Sequence, residues 1–204
     1  MKRDRLELVF ATNNQHKLKE INSMLNGTIK ILSLIDIGCA DELPETSTTI
    51  TGNALQKAGY VFDKYGMNCF ADDTGLEIEA LGGRPGVYSA RFAGLNASDE
   101  ENVLKVLTEL KGMPNRKAKF KTVIALITEK GHPCFEGIIE GEIITEPRGQ
   151  NGFGYDPVFV PGGSDKTFAE MFEDEKNKIS HRGRALARLV DYLDKSGLIH
   201  KNPD

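Results

Sequence analysis

The stretch LELVFATNNQHKLKEINSML, residues 6–25, decides the fold because its hydrophobic period changes once, at a polar turn. Residues 6–11 are a short apolar run, which is typical of a buried strand. Residues 12–17 are polar, and beyond them apolar residues recur at helical spacing. These residues are Leu18, Ile21, Met24 and Leu25. The stretch therefore predicts a strand, a tight polar turn and a helix.

The remaining sequence extends this pattern to a whole domain. The predicted strands cover residues 29–34, 67–71, 76–81, 118–129, 134–146 and 158–160, and the fourth and fifth form a hairpin around 130–133. The predicted helices cover residues 52–65, a segment that Ser98 begins, and the tail from Ser180 onward. Early βα units, a long hairpin and a closing helix predict an α/β fold class with a mixed sheet. No linker is apparent, so residues 1–204 are expected to form a single domain with two lobes.

The bulk composition favours a soluble globular protein of the cytoplasm. Apolar residues make up 39% and charged residues 27%, and no apolar run approaches the roughly 20 residues that span a bilayer. No apolar signal-peptide core follows the charged first residues, so export is not expected. The net charge of -4 argues against nucleic acid as a partner, because a broad nucleic-acid footprint usually needs a basic face.

The three cysteines are widely separated, without a C-x-x-C pair or a Cys/His ligand spacing. This pattern argues against a zinc site and is typical of free thiols in a reducing compartment. The sequence also shows no Ser-His-Asp or Cys-His arrangement. The expected chemistry is therefore metal-assisted and not covalent.

The polar turn at residues 12–17 is a candidate anion site. Asn13, Asn14 and Lys17 combine free backbone N–H groups at a helix N-terminus with an ammonium group, and phosphate is the usual anion at such a place. The G-x-x-x-x-G-K-[ST] string of a Walker A loop is missing. The alternative is a capped helix with a solvated lysine.

Two adjacent carboxylates, Asp72 and Asp73, follow an apolar strand, at the place where open α/β sheets bind ligands. Magnesium takes one or two carboxylates together with phosphate oxygens and waters. Asp73 is thus a candidate metal ligand or proton acceptor, and Glu45 is a possible further carboxylate. The alternative is an Asx-turn in which Gly75 supplies a positive φ.

Two further segments carry ligand-binding residue types. The loop GFGYDP, residues 152–157, offers close backbone approach at its glycines and an aromatic ring that can stack on a base. The alternative is a turn whose aromatic side chain fills the core. Residues 176–184 form a cationic stretch with Lys176, Lys178, His181, Arg182 and Arg184. Cations at the start of the last helix oppose its dipole unless an anion or a hydrogen-bond acceptor lies next to them.

Six blocks in order resemble the inosine/xanthosine triphosphate pyrophosphatase family. They are TNNQHK at 12–17, FADDTGL at 70–76, LGGRPGVYSARF at 81–92, GFGYDP at 152–157, KTFAEM at 166–171 and SHRGRAL at 180–186. Their order and spacing cover nearly the whole chain. The resemblance implies hydrolysis of ITP, dITP or XTP to monophosphate and pyrophosphate with Mg²⁺ as cofactor. It also implies an elongated mixed sheet, two lobes around a substrate cleft, and a homodimer.

The same resemblance implies a role for each matching residue. Asp73 would bind the metal and accept a proton, with Glu45 as a further metal ligand. The triphosphate would be held by Thr12, Asn13, Asn14, Gln15, His16 and Lys17. The remaining substrate-binding residues would be Thr74, Phe153, Gly154, Tyr155, Asp156, Lys176, His181 and Arg182.

Two positions depart from the family pattern. The first turn has TNN where many members have TGN, so Asn13 must accept the backbone angles of a glycine, which asparagine tolerates at positive φ. Thr74 stands where the family often has serine, and its hydroxyl can still donate. Three alternatives remain open: a pyrophosphatase for modified pyrimidine triphosphates, a nucleotide-binding regulator without turnover, and an RNA-binding module, which the acidic charge disfavours.

Overall fold

The computed structural model describes residues 5–25, 27 and 29–199. Its strands are β1 (Glu7–Phe10), β2 (Lys30–Leu32), β3 (Cys69–Ile78), β4 (Pro85–Gly86), β5 (Lys117–Ile127), β6 (Cys134–Ile143) and β7 (Phe159–Pro161). Its α-helices are α1 (Gln15–Leu25), α2 (Ile50–Tyr65), α3 (Asp99–Glu109), α4 (Glu173–Ile179) and α5 (His181–Lys195).

The strands form a sheet in the order β2-β1-β3-β5-β6-β7, and β4 pairs with β3. Strand β1 runs parallel to β2 and β3, whereas the pairs β3–β4 and β6–β7 are antiparallel. An antiparallel bridge between Thr128 and Gly131 closes the turn between the neighbouring strands β5 and β6. The predicted mixed sheet with flanking helices is therefore confirmed, and so is the hairpin.

The chain divides into two compact units. Unit 1 contains the described residues up to Asp73, residues 123–136, and the described residues from Gly183 onward. Unit 2 contains residues 74–122 and 137–182. Strand β3 thus passes from unit 1 to unit 2 after Asp73, and β5 passes from unit 2 to unit 1 after Thr122.

In unit 1, helices cover both faces of β1. Leu8 and Phe10 belong to a core cluster with α1 and α5, whereas Val9 belongs to a second cluster with α2. A strand that is buried on both faces has an unbroken apolar sequence, which explains the run at residues 6–11. The apolar face predicted for the last helix also lies in the first of these clusters. Its residues are Ala185, Leu186, Leu189, Val190 and Leu193.

In unit 2, the core lies between α3 and one face of the strands. Helix α3 begins as predicted, because Ser98 and Glu101 form a capping box in which each side chain accepts the other's backbone N–H. The unit 2 part of β5 alternates strictly between buried and more exposed residues. Ala118, Phe120 and Thr122 are the buried set, as expected for a strand covered on one face.

Strand β3 corrects one prediction. The sequence suggested separate strands at 67–71 and 76–81 with Asp72 and Asp73 at a strand end, but β3 runs unbroken from Cys69 to Ile78. The two carboxylates therefore lie inside a strand, and Gly75 lies in the same strand. Pairing of β3 with its neighbouring strands outweighs the local turn preference of the Asp-Asp-Thr-Gly sequence.

Two further differences concern local conformation. Among the residues that the structure describes, glycine alone adopts a positive φ, so Asn13 does not need the left-handed conformation expected from the family pattern. Helix α4 was not predicted, although its acidic first turn and basic last turn match the helix dipole. No helix within the described ranges is both long and apolar enough to cross a bilayer.

Candidate active site

The polar turn between β1 and α1 is fixed by its own side chains. The Thr12 hydroxyl accepts a hydrogen bond from the Asn14 backbone N–H at 3.2 Å, and the Asn14 carboxamide oxygen accepts from the Lys17 N–H at 3.1 Å. Asn14 therefore caps α1. Gln15 and His16 begin the helix and are exposed. The Asn13 side chain donates to the Asp41 carbonyl at 3.4 Å.

The ammonium group of Lys17 contacts one of the paired carboxylates. Its Nζ lies 3.0 Å from Oδ1 of Asp72, whose side chain is fully buried. The α1 lysine thereby compensates a charge that β3 carries into the interior of unit 1. A buried carboxylate without such a partner would be strongly destabilising.

The second carboxylate, Asp73, lies against a buried lysine of α2. Nζ of Lys57 is 3.4 Å from Oδ1 of Asp73 and 2.5 Å from Oε1 of Glu45. Asn53, one helical turn earlier on α2, donates to Oδ2 of Asp73 at 3.3 Å and accepts from the Ser47 N–H at 2.9 Å. Asp73 and Lys57 are both buried. We call the following residues of unit 1 the acid–lysine cluster: Lys17, Glu45, Asn53, Lys57, Asp72 and Asp73.

Burial and neighbouring charges shift the pKa values of Asp73 and Lys57 in opposite directions. Burial raises the pKa of the Asp73 carboxyl above its ordinary value, and the charges of Lys57 and Lys17 only partly oppose that rise. Burial also acts to lower the pKa of Lys57, but the neighbouring carboxylates, led by Asp73 and Glu45, outweigh it, so the pKa of Lys57 is raised. The cluster therefore keeps Lys57 protonated and makes Asp73 more basic than a surface aspartate.

Glu45 and Asp73 are the residues of this cluster that could share a divalent cation, because their contacts with Lys57 place the two carboxylates close together. Within the described residues, no three His, Cys, Asp or Glu side chains are grouped to hold a metal ion. Magnesium commonly takes only one or two protein carboxylates, and substrate phosphates and waters complete its octahedron. The donor set thus fits an ion that binds together with a phosphorylated ligand.

In unit 2, the predicted loop at residues 152–156 closes around a buried ion pair. Oδ2 of Asp156 accepts from Nζ of Lys176 at 2.7 Å and from the Phe153 backbone N–H at 2.9 Å. Gly152 has a φ of 77°, and a Cβ there would collide with the Asp156 carboxylate. The Gly154 N–H donates to Asp99 at 2.6 Å. Sequence analysis expected close backbone approach at these glycines, and at Gly152 the group approached is the protein's own carboxylate.

Two cations lie over the ring of Phe153. Nζ of Lys176 is 5.1 Å and Cζ of Arg182 is 5.5 Å from the ring centroid. Both cationic side chains are almost fully buried. Such contacts between a cation and the face of a ring are favourable, more so where water is excluded.

The two residues that begin α5, His181 and Arg182, have different kinds of contact. The ring of His181 stacks on Phe120 with centroids 4.5 Å apart and an interplanar angle of 15°. Arg182 donates from Nη2 to the Thr74 hydroxyl at 3.3 Å. We call the following residues of unit 2 the aromatic–cation cluster: Phe120, Phe153, Asp156, Phe168, Lys176, His181 and Arg182.

Tyr155 has a different environment from its neighbours in the loop. Its ring belongs to the hydrophobic core of unit 2, and its hydroxyl donates to the Ser89 carbonyl at 2.7 Å. Burial raises the pKa of Tyr155. Its side chain therefore fills the core, as the structural alternative for an aromatic in this loop predicted.

Two residues of the acid–lysine cluster, Lys57 and Asn53, were not predicted from the sequence. Lys57 follows Ala54 by three residues and precedes Val61 by four, so it lies on the face that the sequence marked as apolar. A lysine on such a face is a signal that a buried acid lies opposite. Asn53 lies one turn before Lys57 on the same face. In unit 2, Phe120 and Thr122 were assigned only to a strand.

The chain is similar to known proteins over nearly its full length. The Ham1 family model matches residues 8–192. A dITP/XTP pyrophosphatase from Flavobacterium psychrophilum is 54% identical, over 92% of this chain and 99% of its own length. A dITP/XTP pyrophosphatase from Porphyromonas gingivalis is 55% identical, over 92% of this chain and 97% of its own length.

The solved structure of a HAM1 protein from Coxiella burnetii is also similar. It matches with a TM-score of 0.85 and 42% sequence identity, and the match covers 93% of this chain and 99% of that one. Fold and sequence therefore agree over the same extent, and they confirm the resemblance that the six blocks indicated. The chain belongs to the Ham1 family.

Proposed function

We propose that this chain hydrolyses nucleoside triphosphates with a 6-oxo purine base, such as ITP, dITP and XTP, to the monophosphate and pyrophosphate. Such an enzyme is a hydrolase of nucleotide metabolism with a house-cleaning role. Membership of the Ham1 family and the names of the relatives support the proposal. The observation that carries it is Asp73, a buried carboxylate of raised pKa beside the Lys57 ammonium.

The triphosphate is assigned to the β1–α1 turn, residues 12–17. The side chains of Thr12 and Asn14 fix the turn, and the first N–H groups of α1 form the positive end of the helix dipole. Lys17 adds a full positive charge next to them. An ammonium that already pairs with Asp72 is held in place, so phosphate binding does not have to order this side chain.

Mg²⁺ is assigned to Glu45 and Asp73. When bound there, the ion would neutralise triphosphate oxygens and orient the substrate. Lys57 lies within contact distance of both carboxylates. Its charge limits their mutual repulsion, which allows two acids to remain close together and ionised.

Asp73 is also assigned the role of proton acceptor. Hydrolysis between the α- and β-phosphates requires a water molecule to lose a proton as its oxygen bonds to phosphorus, and the bridging oxygen leaves with pyrophosphate. A general base works best when its pKa is near the operating pH, and in the metal-free protein burial moves the pKa of Asp73 in that direction. The contacts of Asp73 with Lys57 and Asn53 hold its carboxylate in a fixed orientation.

The base is assigned to the aromatic–cation cluster together with Thr74, Gly154 and the backbone of Tyr155, whose side chain fills the core. Arginine only donates hydrogen bonds, and a protonated histidine offers two donors. A 6-oxo purine presents an acceptor to Arg182 and His181, whereas adenine presents an amino donor at the same place. Adenine would leave buried donors unpaired, at a cost of about 1–3 kcal/mol each.

Steady-state kinetics with a panel of nucleoside triphosphates and Mg²⁺ tests this function. We expect pyrophosphate release with kcat/KM highest for ITP, dITP and XTP and much lower for ATP. A preference for modified pyrimidine triphosphates would instead identify a pyrimidine enzyme. Bound nucleotide without turnover would identify a regulator.

Three accompanying features belong to the same proposal. The family resemblance supports a homodimer and a cytoplasmic location. The net charge of -4 supports the absence of a nucleic-acid partner. Sedimentation velocity on the purified chain tests for the dimer. A monomer at micromolar concentration would contradict this part of the proposal.

A further inference from the structure

Two threonine hydroxyl groups lie in short contact in unit 2. Oγ1 of Thr122 on β5 is 2.6 Å from Oγ1 of Thr74 on β3, within the normal range for hydrogen-bonded hydroxyl groups. Thr122 is fully buried. A buried hydroxyl on a core-facing strand position loses its hydration, so this hydrogen bond is important for keeping it satisfied.

Thr74 is at the same time the acceptor for the guanidinium group of Arg182, at 3.3 Å from Nη2. Because arginine cannot accept, the Thr74 oxygen must direct a lone pair at Arg182. The bond to Thr122 restricts the rotation of the Thr74 hydroxyl and thereby fixes that lone pair. The three residues therefore form a chain in which each side chain orients the next.

The neighbouring core-facing residue of β5 contacts the ring of His181, which precedes Arg182 at the start of α5. Phe120 precedes Thr122 by two residues, so both face the same side of the strand, and Phe120 stacks on His181. Strand β5 thus supports His181 directly and Arg182 through Thr74. Both residues were assigned to recognition of the base.

We infer that Thr122 is a positioning residue for base recognition, which acts through Thr74 on the guanidinium group of Arg182. The inference rests on the proposed function, because it assigns to Thr122 control over the selectivity for 6-oxo purines. Thr122 does not itself contact the substrate in this scheme. Its contribution is to hold the donor of Arg182 where a 6-oxo group accepts.

The test is the ratio of kcat/KM for ITP to kcat/KM for ATP in a set of threonine variants. Thr122→Val keeps the side-chain shape and deletes the hydroxyl, so we expect the ratio to fall roughly three- to tenfold, the effect of one hydrogen bond. Thr122→Ser keeps the hydroxyl and should keep the wild-type ratio. Thr122→Cys, with a weak thiol donor, should give an intermediate ratio and serves if the valine variant does not fold.

A double-mutant cycle separates positioning from a general loss of stability. If Thr122 acts through Thr74, then Thr122→Val has no further effect on the ratio in a Thr74→Val background. The control is Thr128→Val, which also deletes a hydroxyl hydrogen bond but in unit 1. It should leave the ratio unchanged even if it lowers Tm.

Several results would overturn the inference. One is an unchanged ratio in an active Thr122→Val enzyme, and another is an equal loss with and without the Thr74 hydroxyl. A third is failure of Thr122→Ser to retain selectivity while its Tm equals that of the wild type. Failure of the proposed function is a distinct result, since the wild-type enzyme itself would then lack turnover of ITP.

Discussion

Each unit buries a lysine against an aspartate, Lys57 against Asp73 in unit 1 and Lys176 against Asp156 in unit 2. These two pairs differ in how tightly the carboxylate is held. In unit 2, one oxygen of Asp156 accepts from Lys176 at 2.7 Å and from a backbone N–H at 2.9 Å. In unit 1, Lys57 lies 2.5 Å from Glu45 but 3.4 Å from Asp73. The closest partner of the unit 1 lysine is thus not the buried aspartate.

This difference separates a pair that holds a loop from a pair that is suited to chemistry. Asp156 joins the loop that carries Phe153 to helix α4, so its charge holds the loop that contributes to the proposed base site. Asp73 has longer contacts and a pKa that burial raises. A carboxylate that is less completely stabilised as an anion binds protons and metal ions more readily.

The largest effect is expected for Asp73, the aspartate of the unit 1 pair. Asp73→Asn removes a proposed metal ligand that is also the base, so turnover should fall ~10²–10⁴-fold or more while the fold is kept. The measurement is kcat for ITP with Mg²⁺, together with Tm. Asp63→Asn, an exposed position of α2, is the matched control and should retain wild-type turnover. Full activity in the Asp73 variant, or in excess EDTA, would contradict the metal assignment.

For the pair of Asp156 and Lys176 in unit 2, the expected effect of a substitution is a loss of stability. Asp156→Asn removes the negative charge that contacts the buried Lys176 ammonium, so the free energy of unfolding should fall by about 3–5 kcal/mol. Urea denaturation measures this value, and Asp165→Asn, at an exposed position, is the control. The comparison fails if Asp156→Asn and Asp73→Asn reduce stability equally.

Lys17→Ala probes the acid–lysine cluster at its proposed phosphate contact. One charge-assisted hydrogen bond contributes roughly 1.5–3 kcal/mol, and ITP, XTP and ATP carry the same triphosphate. The variant should therefore lower kcat/KM by a similar factor for all three. Lys19→Ala, at an exposed position of α1, is the control. A change in base preference without a common loss would show that Lys17 acts elsewhere.

Arg182→Ala and Phe153→Ala probe the aromatic–cation cluster. Arg182→Ala should reduce the preference for ITP over ATP by about 1–3 kcal/mol, the cost of an unsatisfied buried group that it removes from the adenine complex. Phe153→Ala should lower kcat/KM by a similar factor for ITP and ATP, since every purine has a π-face. The measurement is kcat/KM for both substrates on both variants. If Arg182→Ala lowers kcat/KM equally for ITP and ATP, Arg182 contacts the phosphate or the sugar and not the base.

The smallest effect is the pH dependence of stability. The folded protein raises the pKa of Asp73, so folding favours its protonated form, and this contribution is lost as pH rises through the folded pKa. The stability of the wild type relative to Asp73→Asn should therefore decrease as the pH rises above about 4, the ordinary range of an aspartate. Thermal unfolding of both proteins across this range provides the difference. The opposite slope would mean that Lys57 stabilises the carboxylate more than burial destabilises it.

Much of unit 1 was predictable because its elements follow hydrophobic period. The strand–turn–helix at residues 6–25, the α2 helix and the α5 face each appear in the local sequence and in the structure. The resemblance rests on six local blocks, and the comparisons confirmed it.

The exception within unit 1 is β3, where local sequence was misleading. Asp72 and Asp73 side by side are typical of a turn, yet both lie in a strand, where Lys17 and Lys57 compensate their charges. Those lysines are far from β3 in sequence, so local patterns do not reveal the pairing. The same holds for Thr122 in unit 2, since nothing local marks a threonine of β5 as the partner of Thr74.

Gly152 and Gly154 differ in which substitutions the fold tolerates. Gly152 has positive φ and a carboxylate where a Cβ would lie, so every single-base missense change in its codon introduces a clash. Gly154 also has positive φ, but a Cβ there would meet no described atom within 4 Å, and asparagine or aspartate tolerates such a backbone. In a saturation library, position 152 should retain glycine alone, whereas position 154 should keep a narrow set of survivors.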